Sequence, residues 1–308
     1  MATVNTAWDH VSSNIFKTWL IMFLFSVFVV AVVYLFARAW GYDSTGALGL
    51  TGMALIVTGV LNFGSYFFSD KIVLGISGAK PVSEQHNKQL YRMVENLTIA
   101  AGLPVPKIYI IDDSAPNAFA TGRDPKHAAI AFTTGILEKL NRQELEAVTA
   151  HELSHVGNRD TLVMAVVSVL VGTVALLADW YMHSLWFGGQ DRDSDNKGNA
   201  IFMILGIVAA ILAPIIATLI QMAVSRRREF LADASGAILT RNPDALASAL
   251  IKISGDKEPL EVANRGTAHL YIVNPLKGQD VLNSFAKLFS THPPVQERVK
   301  ALREMGGL

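Results

Sequence analysis

The chain has 308 residues, 26 Lys plus Arg against 26 Asp plus Glu, and no cysteine. A hydrophobic content of 51%, a charged content of 17% and a mean hydropathy of +0.34 exclude a disordered polypeptide, and the even charge balance leaves no global field to recruit nucleic acid. Without cysteine there is no disulfide scaffold, iron–sulfur cluster, Cys-ligated zinc or thiol catalysis, so any metal must be held by His, Asp, Glu or carbonyl oxygen.

The first predicted elements are two apolar helices. Thr18 to Ala37 is 20 residues without a charge, and Ser44 to Ser69 is 26. A hydrocarbon core about 30 Å thick takes roughly 17 to 25 helical residues to cross. A cleavable signal does not fit the first run, which is too long and lacks an evident small-residue cleavage site. Lys88 to Ala101 follows with helical spacing of Leu90, Met93, Val94 and Leu97, stopped by Gly102 and Pro104. Lys107 to Ile111 reads as a short buried strand. Asn117 to Thr121 and Ala128 to Thr133, separated by Gly122 to Lys126, read as a hairpin. Asn141 with Glu144 three residues on forms a capping box for a helix running through His151 and His155.

Thr161 to Ala178 and Gly198 to Ser225 are two more uncharged runs, of 18 and 28 residues. Both are long enough to span a bilayer, and both could also be buried helices of a soluble lobe. Beyond them, Asn242–Pro243 starts a helix, and Pro293–Pro294 starts a last one reaching Met305. The predicted fold is therefore a membrane protein, α+β and mainly helical. Four transmembrane helices in two hairpins accompany a split cytoplasmic domain with a small sheet. The predicted division is an N-terminal hairpin at 1–70, a first part of that domain at 71–160, a second hairpin at 161–225 and its second part at 226–308. Lys17, Lys71, Lys80, Arg142, Arg159, Arg226 to Arg228 and Arg241 flank one side of the runs, against Arg38, Arg192 and Lys197 on the other. That bias places the N-terminus and both parts of the domain in the cytoplasm.

The chemistry is concentrated in His151–Glu152–Leu153–Ser154–His155. Two histidines at i and i+4 share a helix face, so both imidazoles reach one zinc ion, and Glu152 can take a proton from its water without ligating it. A catalytic zinc needs a third protein ligand. Asn158 and Thr161 stand where a metzincin has Gly and His, which rejects that class. Glu229 and Asp233, at i and i+4 on a helix, supply two candidates: one to bind the metal, the other to hydrogen-bond a ligating His. Spacing alone does not say which is which.

Together with Arg227 to Asp233 and Thr291–His292–Pro293–Pro294, the motif resembles the HtpX family of membrane zinc metalloproteases, gluzincins related to the zinc-type CAAX prenyl proteases. The resemblance covers nearly the whole chain, including Asn117–Ala118–Phe119–Ala120. It implies one Zn²⁺ per chain on His151, His155 and Glu229, with Glu152 as general base and Asp233 hydrogen-bonded to a ligand. It also implies a zincin-type catalytic domain in which His292 donates to the oxyanion and Asn117 binds substrate backbone; Arg298, on the same final helix as the His292 motif, is a second candidate for the donor or for substrate binding. The enzyme it implies lies in the bacterial inner membrane and cleaves misfolded membrane proteins from the cytoplasmic side. An extended substrate is expected to pair with the edge of the hairpin, through main-chain bonds that carry little sequence information. The competing readings are an intramembrane zinc protease, a four-helix transporter and a non-catalytic zinc-binding scaffold. Uncharged apolar runs argue against the transporter, the polar stretch Asn141 to Glu144 ahead of the motif argues against an intramembrane site, and a scaffold would not need Glu152.

Overall fold

A computed structural model of the chain describes residues 7–39, 42–187, 226–263, 267–275 and 293–306. The fourth apolar run, Gly198 to Ser225, and His292 lie outside these residues.

The chain opens with α1 (Ala7–Ala39) and α2 (Ser44–Ile76), the latter capped by Asp43, whose side chain accepts from Gly46 N. Val11–Tyr34 and Ser44–Ile76 are long and apolar enough to cross a membrane. Phe23, Leu48, Met53, Ile56 and Val60 are each more than half exposed, apolar surface that a soluble protein would bury. The two helices are clasped from within: Asn62 Nδ2 donates to Ser26 Oγ at 2.9 Å, and the Trp19 and Tyr66 rings stack at 5.5 Å.

The predicted α3 (Lys88–Ala101) runs from an Asn87 cap to Gly102 in the left-handed region. A four-stranded sheet follows, built from β1 (Lys80–Pro81), β2 (Lys107–Ile111), β3 (Ala118–Thr121) and β4 (Ala129–Thr133) in the order β1-β2-β4-β3. β3 and β4 form the predicted antiparallel hairpin, turning at Gly122, whose φ of 128° and 2.3 Å approach to the His127 carbonyl by any added Cβ demand glycine. β2 pairs with β4 in parallel. Every residue of β3 and β4 is buried. Ala118, Ala120, Ile130 and Phe132 face one core, and Phe119, Ala129 and Ala131 face another, the two-residue alternation of a strand covered on both sides.

After α4 (Thr134–Lys139), α5 (Arg142–Gly157) starts with the full capping box: Glu144 N donates to Asn141 Oδ1, and Asn141 N donates to Glu144 Oε2. α6 (Asp160–Phe187) carries the third apolar run. Its Leu162, Val166 and Leu170 are buried against Met22 and Phe25 of α1. Sequence spacing predicts that α5 runs almost straight into this segment. Instead the two helices meet at 82°, with Asn158 as the C-cap and Arg159 at a φ of 60° making the turn. Across that bend α5 lies crosswise to α6, so its distance from the membrane is not set by helical rise along one axis.

The C-terminal elements are α7 (Arg226–Thr240), α8 (Pro243–Gly255) and α9 (Val295–Gly306). Leu246, Leu250 and Leu302 from these helices join Val94, Phe132, Val148 and Leu153 in one buried cluster. The segments on either side of the second apolar pair therefore share a core.

Candidate metal centre

α5 and α7 cross closely because Gly236 of α7 lies against the α5 backbone. A Cβ there would stand 2.9 Å from His151 N and 3.1 Å from His151 Cα. Backbone cannot swing aside as a side-chain tip can, so Gly236→Ala should destabilise the protein by about 1–3 kcal/mol and loosen the metal centre. Thermal unfolding and metal affinity of the purified variant check this.

The crossing brings three donors together. His151, His155 and Glu229 are buried, and their ligand atoms all lie within 4.8 Å of one another. The two Nε2 atoms are 3.2 Å apart, and the rings stand nearly perpendicular at 89°. Glu229 Oε1 lies 3.5 Å from His155 Nε2, and Oε2 lies 3.7 Å from His151 Nε2.

The other face of each ring meets a carboxylate. Asp233 Oδ1 is 2.9 Å from His151 Nδ1, and Asp160 Oδ2 is 3.0 Å from His155 Nδ1. Each carboxylate draws the ring proton to Nδ1 and leaves the Nε2 lone pair facing its neighbour. Sequence reasoning assigned one such acid, Asp233, and missed Asp160, which stands five residues after His155 at the start of α6. Its only sequence signal is an acidic residue just beyond the motif, which there reads as a boundary of the apolar run.

Asp233 in turn is gripped by Arg298, with Nε to Oδ2 at 2.7 Å and Nη2 to Oδ1 at 2.6 Å. Arg298 Nη1 donates to the Ile272 carbonyl at 2.8 Å and lies 3.4 Å from Glu229 Oε2. Arg298 is 1% exposed. These contacts tie α9 to α7 and to the 267–275 segment. They make Arg298 a fixed strut of the centre, whereas the sequence offers it as a candidate substrate-binding group.

Glu152 is 2% exposed and faces the backbone amide of Ala120 in β3. The small alanines of β3 let α5 come this close. Asn117 is buried at the start of β3; its Nδ2 donates to Val273 O at 2.9 Å, and its Oδ1 accepts from Ala118 N. The sequence expectation takes the outer edge of β3 as open to substrate. At Ala118 that edge is covered, because Ile272 N donates to Ala118 O at 3.0 Å. Leu270, Tyr271, Ile272 and Val273 are all buried, and that apolar run holds the cover in place.

The residues fit a divalent cation by charge and by geometry. Asp160, Glu152, Glu229 and Asp233 face two guanidiniums, Arg228 and Arg298, which leaves two negative charges when both imidazoles are neutral. In a tetrahedral site with Zn–N bonds of about 2.0–2.1 Å, the two nitrogens stand about 3.3–3.4 Å apart, close to the spacing found here. Without a cation, protons take up the same role. Burial pushes Glu152 up to about 8, helped by Glu229. Burial pulls His155 down, but Asp160, Glu229 and Glu152 outweigh it and raise it to about 9. Burial would raise Asp233, yet Arg298 and His151 hold it well below the usual carboxylate range. Both shifts favour the protonated forms at pH 7 in the cation-free protein. Zinc uptake there should therefore release roughly one to two protons, read with an indicator dye in weak buffer. No release would mean that His155 and Glu152 are already deprotonated before the cation binds, and would contradict this electrostatic account.

A sequence profile of peptidase family M48 matches residues 84–306. The chain is 42% identical over 305 residues to the Protease HtpX homolog of Thermoanaerobacter pseudethanolicus, covering 97% of this chain and 98% of that one. It is 46% identical over 291 residues to the Protease HtpX homolog of Pyrococcus furiosus, covering 94% and 95%. Among solved structures, the crystal structure of S. mikatae Ste24p aligns with 93% of this chain and 66% of its own, at 20% identity and a TM-score of 0.49.

Proposed function

The chain belongs to peptidase family M48 and is a membrane metalloprotease, and from that premise we propose that it is a zinc endopeptidase of the bacterial inner membrane that cuts misfolded membrane proteins on the cytoplasmic side. The observation that carries the reading is the convergence of His151, His155 and Glu229 on one point, with the Glu152 carboxyl on the same helix as both histidines.

In this reading His151, His155 and Glu229 hold one Zn²⁺, which when bound supplies Lewis acidity toward the scissile carbonyl and its attacking water. Glu152 accepts the proton of that water at its carboxylate and later returns it to the leaving amine. Asp233 and Asp160 keep the ring protons on Nδ1 of His151 and His155, so that both Nε2 atoms remain donors. Arg298 fixes Asp233 and screens Glu229. His292, which precedes α9, is proposed to donate to the oxyanion. Asn117 is proposed to shape the substrate strand indirectly, by holding the covering segment at Val273 over the start of β3, so that a peptide would pair farther along the strand, at Ala120 beside the base. A peptide held there by main-chain bonds would be chosen for being extended, which suits an enzyme that removes unfolded chains.

One observation favours a second reading. α5 and the first part of α6 together are apolar enough to pass as one broken membrane span, which would put the motif inside the bilayer. The first turn of α5 speaks against it: the Arg142 side chain is 81% exposed and pairs with Glu146. Lys126, at the hairpin turn, and Tyr42, between α1 and α2, decide the orientation. The chain has no native cysteine to confuse labelling. Tyr42→Cys should react with an impermeant maleimide in intact cells, and Lys126→Cys should react only after permeabilisation; the reverse pattern would put the active site outside. The substrate class is tested in proteoliposomes holding one membrane protein, native or heat-unfolded. Cleavage confined to the unfolded form is expected, and equal cleavage of both would overturn the quality-control role.

A further inference from the structure

The acid behind His155 is itself held from the membrane anchor. Asn14 of α1 is 3% exposed. Its Nδ2 donates to Asp160 Oδ1 at 2.7 Å and to the Asn158 carbonyl at 2.8 Å, and its Oδ1 accepts from Arg228 Nη1 at 3.2 Å. Asp160 presents its other oxygen to His155. Arg228 directly precedes Glu229. One amide thus touches the group that orients a histidine and the residue next to the carboxylate.

A buried amide in an apolar helix is costly without partners. Asn62, a half-buried amide of α2, finds partners for its donor group on α1 and so joins the two membrane helices. The partners of Asn14 lie instead on the bend between α5 and α6 and on α7. The matched family segment begins at residue 84, after both membrane helices, so Asn14 lies outside it.

We infer that Asn14 is a positioning residue for the metal centre, fixing Asp160 and through it the ring plane and Nδ1 proton of His155, so that the first membrane helix completes the site. The inference rests on the reading of His155 as a ligand. Asparagine suits the place because a neutral amide donates to Asp160 and accepts from Arg228 at once. Alanine would leave Asp160 Oδ1 without its shortest donor. Aspartate, of the same shape, would remove the donated hydrogens and set a second carboxylate beside the first.

The test is zinc affinity of the full chain in detergent, measured by competition with a chromophoric chelator. Partners behind a ligand typically contribute 10–100-fold to metal affinity, so Asn14→Ala and the isosteric Asn14→Asp should each bind zinc at least about tenfold more weakly than wild type. Ser26→Ala, whose hydroxyl among the described residues hydrogen-bonds to Asn62 and to its own helix, should leave affinity unchanged. In an Asp160→Ala background, Asn14→Ala should cause no further loss, because its action passes through Asp160. Additive losses would assign Asn14 to helix packing and overturn the inference, as would wild-type affinity in Asn14→Asp. A wild-type chain without tight zinc would overturn the metal-centre reading instead. If Asn14→Ala does not fold, Asn14→Asp carries the test.

Discussion

Glu152→Gln should lower peptide cleavage by about 10²–10⁴-fold, the range for loss of a general base, while the protein keeps its fold and its zinc. The substitution preserves shape at a position that is 2% exposed, so packing around α5 survives. It removes the one buried carboxylate of the centre that contacts neither ring nitrogen nor arginine at hydrogen-bonding distance among the described pairs. The side chain faces the Ala120 amide, and burial, helped by Glu229, makes it a reluctant acid, held up to about 8. A nearby dication favours its ionised form and so restores the acceptor. Glutamine has no such acceptor to offer. Zinc content by plasma mass spectrometry and cleavage of a quenched casein, measured on the same preparation, separate the two effects. Full zinc with wild-type turnover would remove Glu152 from the mechanism.

The second large effect is loss of the ligands. His151→Ala, His155→Ala and Glu229→Ala should each weaken zinc binding by more than about 100-fold, beyond the 10–100-fold typical of a partner behind a ligand. Asp233→Ala should differ in kind. It strands the Arg298 guanidinium, which is 1% exposed and bonded to Asp233 twice. Breaking a buried pair from one side typically destabilises by about 3–5 kcal/mol. Asp233→Ala should therefore lower the unfolding temperature more than Glu229→Ala does, yet retain more zinc affinity in the fraction that folds. Chelator competition and calorimetry on the two variants provide the comparison. The opposite ranking in zinc affinity would exchange the roles of the two acids.

What the sequence disclosed about this site was whatever lies within a few residues on one element. The helical pair His151 and His155, the capping box at Asn141 and Glu144, the Gly102 stop and the start at Asn242–Pro243 are local patterns, and the structure forms the elements they predict. The β3–β4 hairpin is equally local, signalled by Gly122. What escaped is long-range. Glu229 lies 74 residues beyond His155, and spacing could place it on one face with Asp233 but could not distinguish them. The parallel pairing of β2 with β4 depends on β3 occupying the far edge, which no single strand's pattern encodes. The bend after Gly157 depends on Arg159 adopting a positive φ, a conformation that arginine does not advertise. Arg298 was legible as a polar candidate on the last helix, but its burial and its grip on Asp233 follow from Asp233 and Ile272 meeting it in three dimensions. Asn14 carries no signal in the sequence, since its partners lie more than 140 residues away.

The metal centre itself is open to one direct measurement, zinc K-edge X-ray absorption on the purified full chain loaded with one equivalent of zinc. The wild type should show two imidazole ligands among nitrogen and oxygen neighbours at about 2.0–2.1 Å, and Glu229→Ala should keep both imidazoles while losing one oxygen neighbour. Fewer than two imidazoles in the wild type, or an identical spectrum from Glu229→Ala, would contradict a zinc ion held by His151, His155 and Glu229.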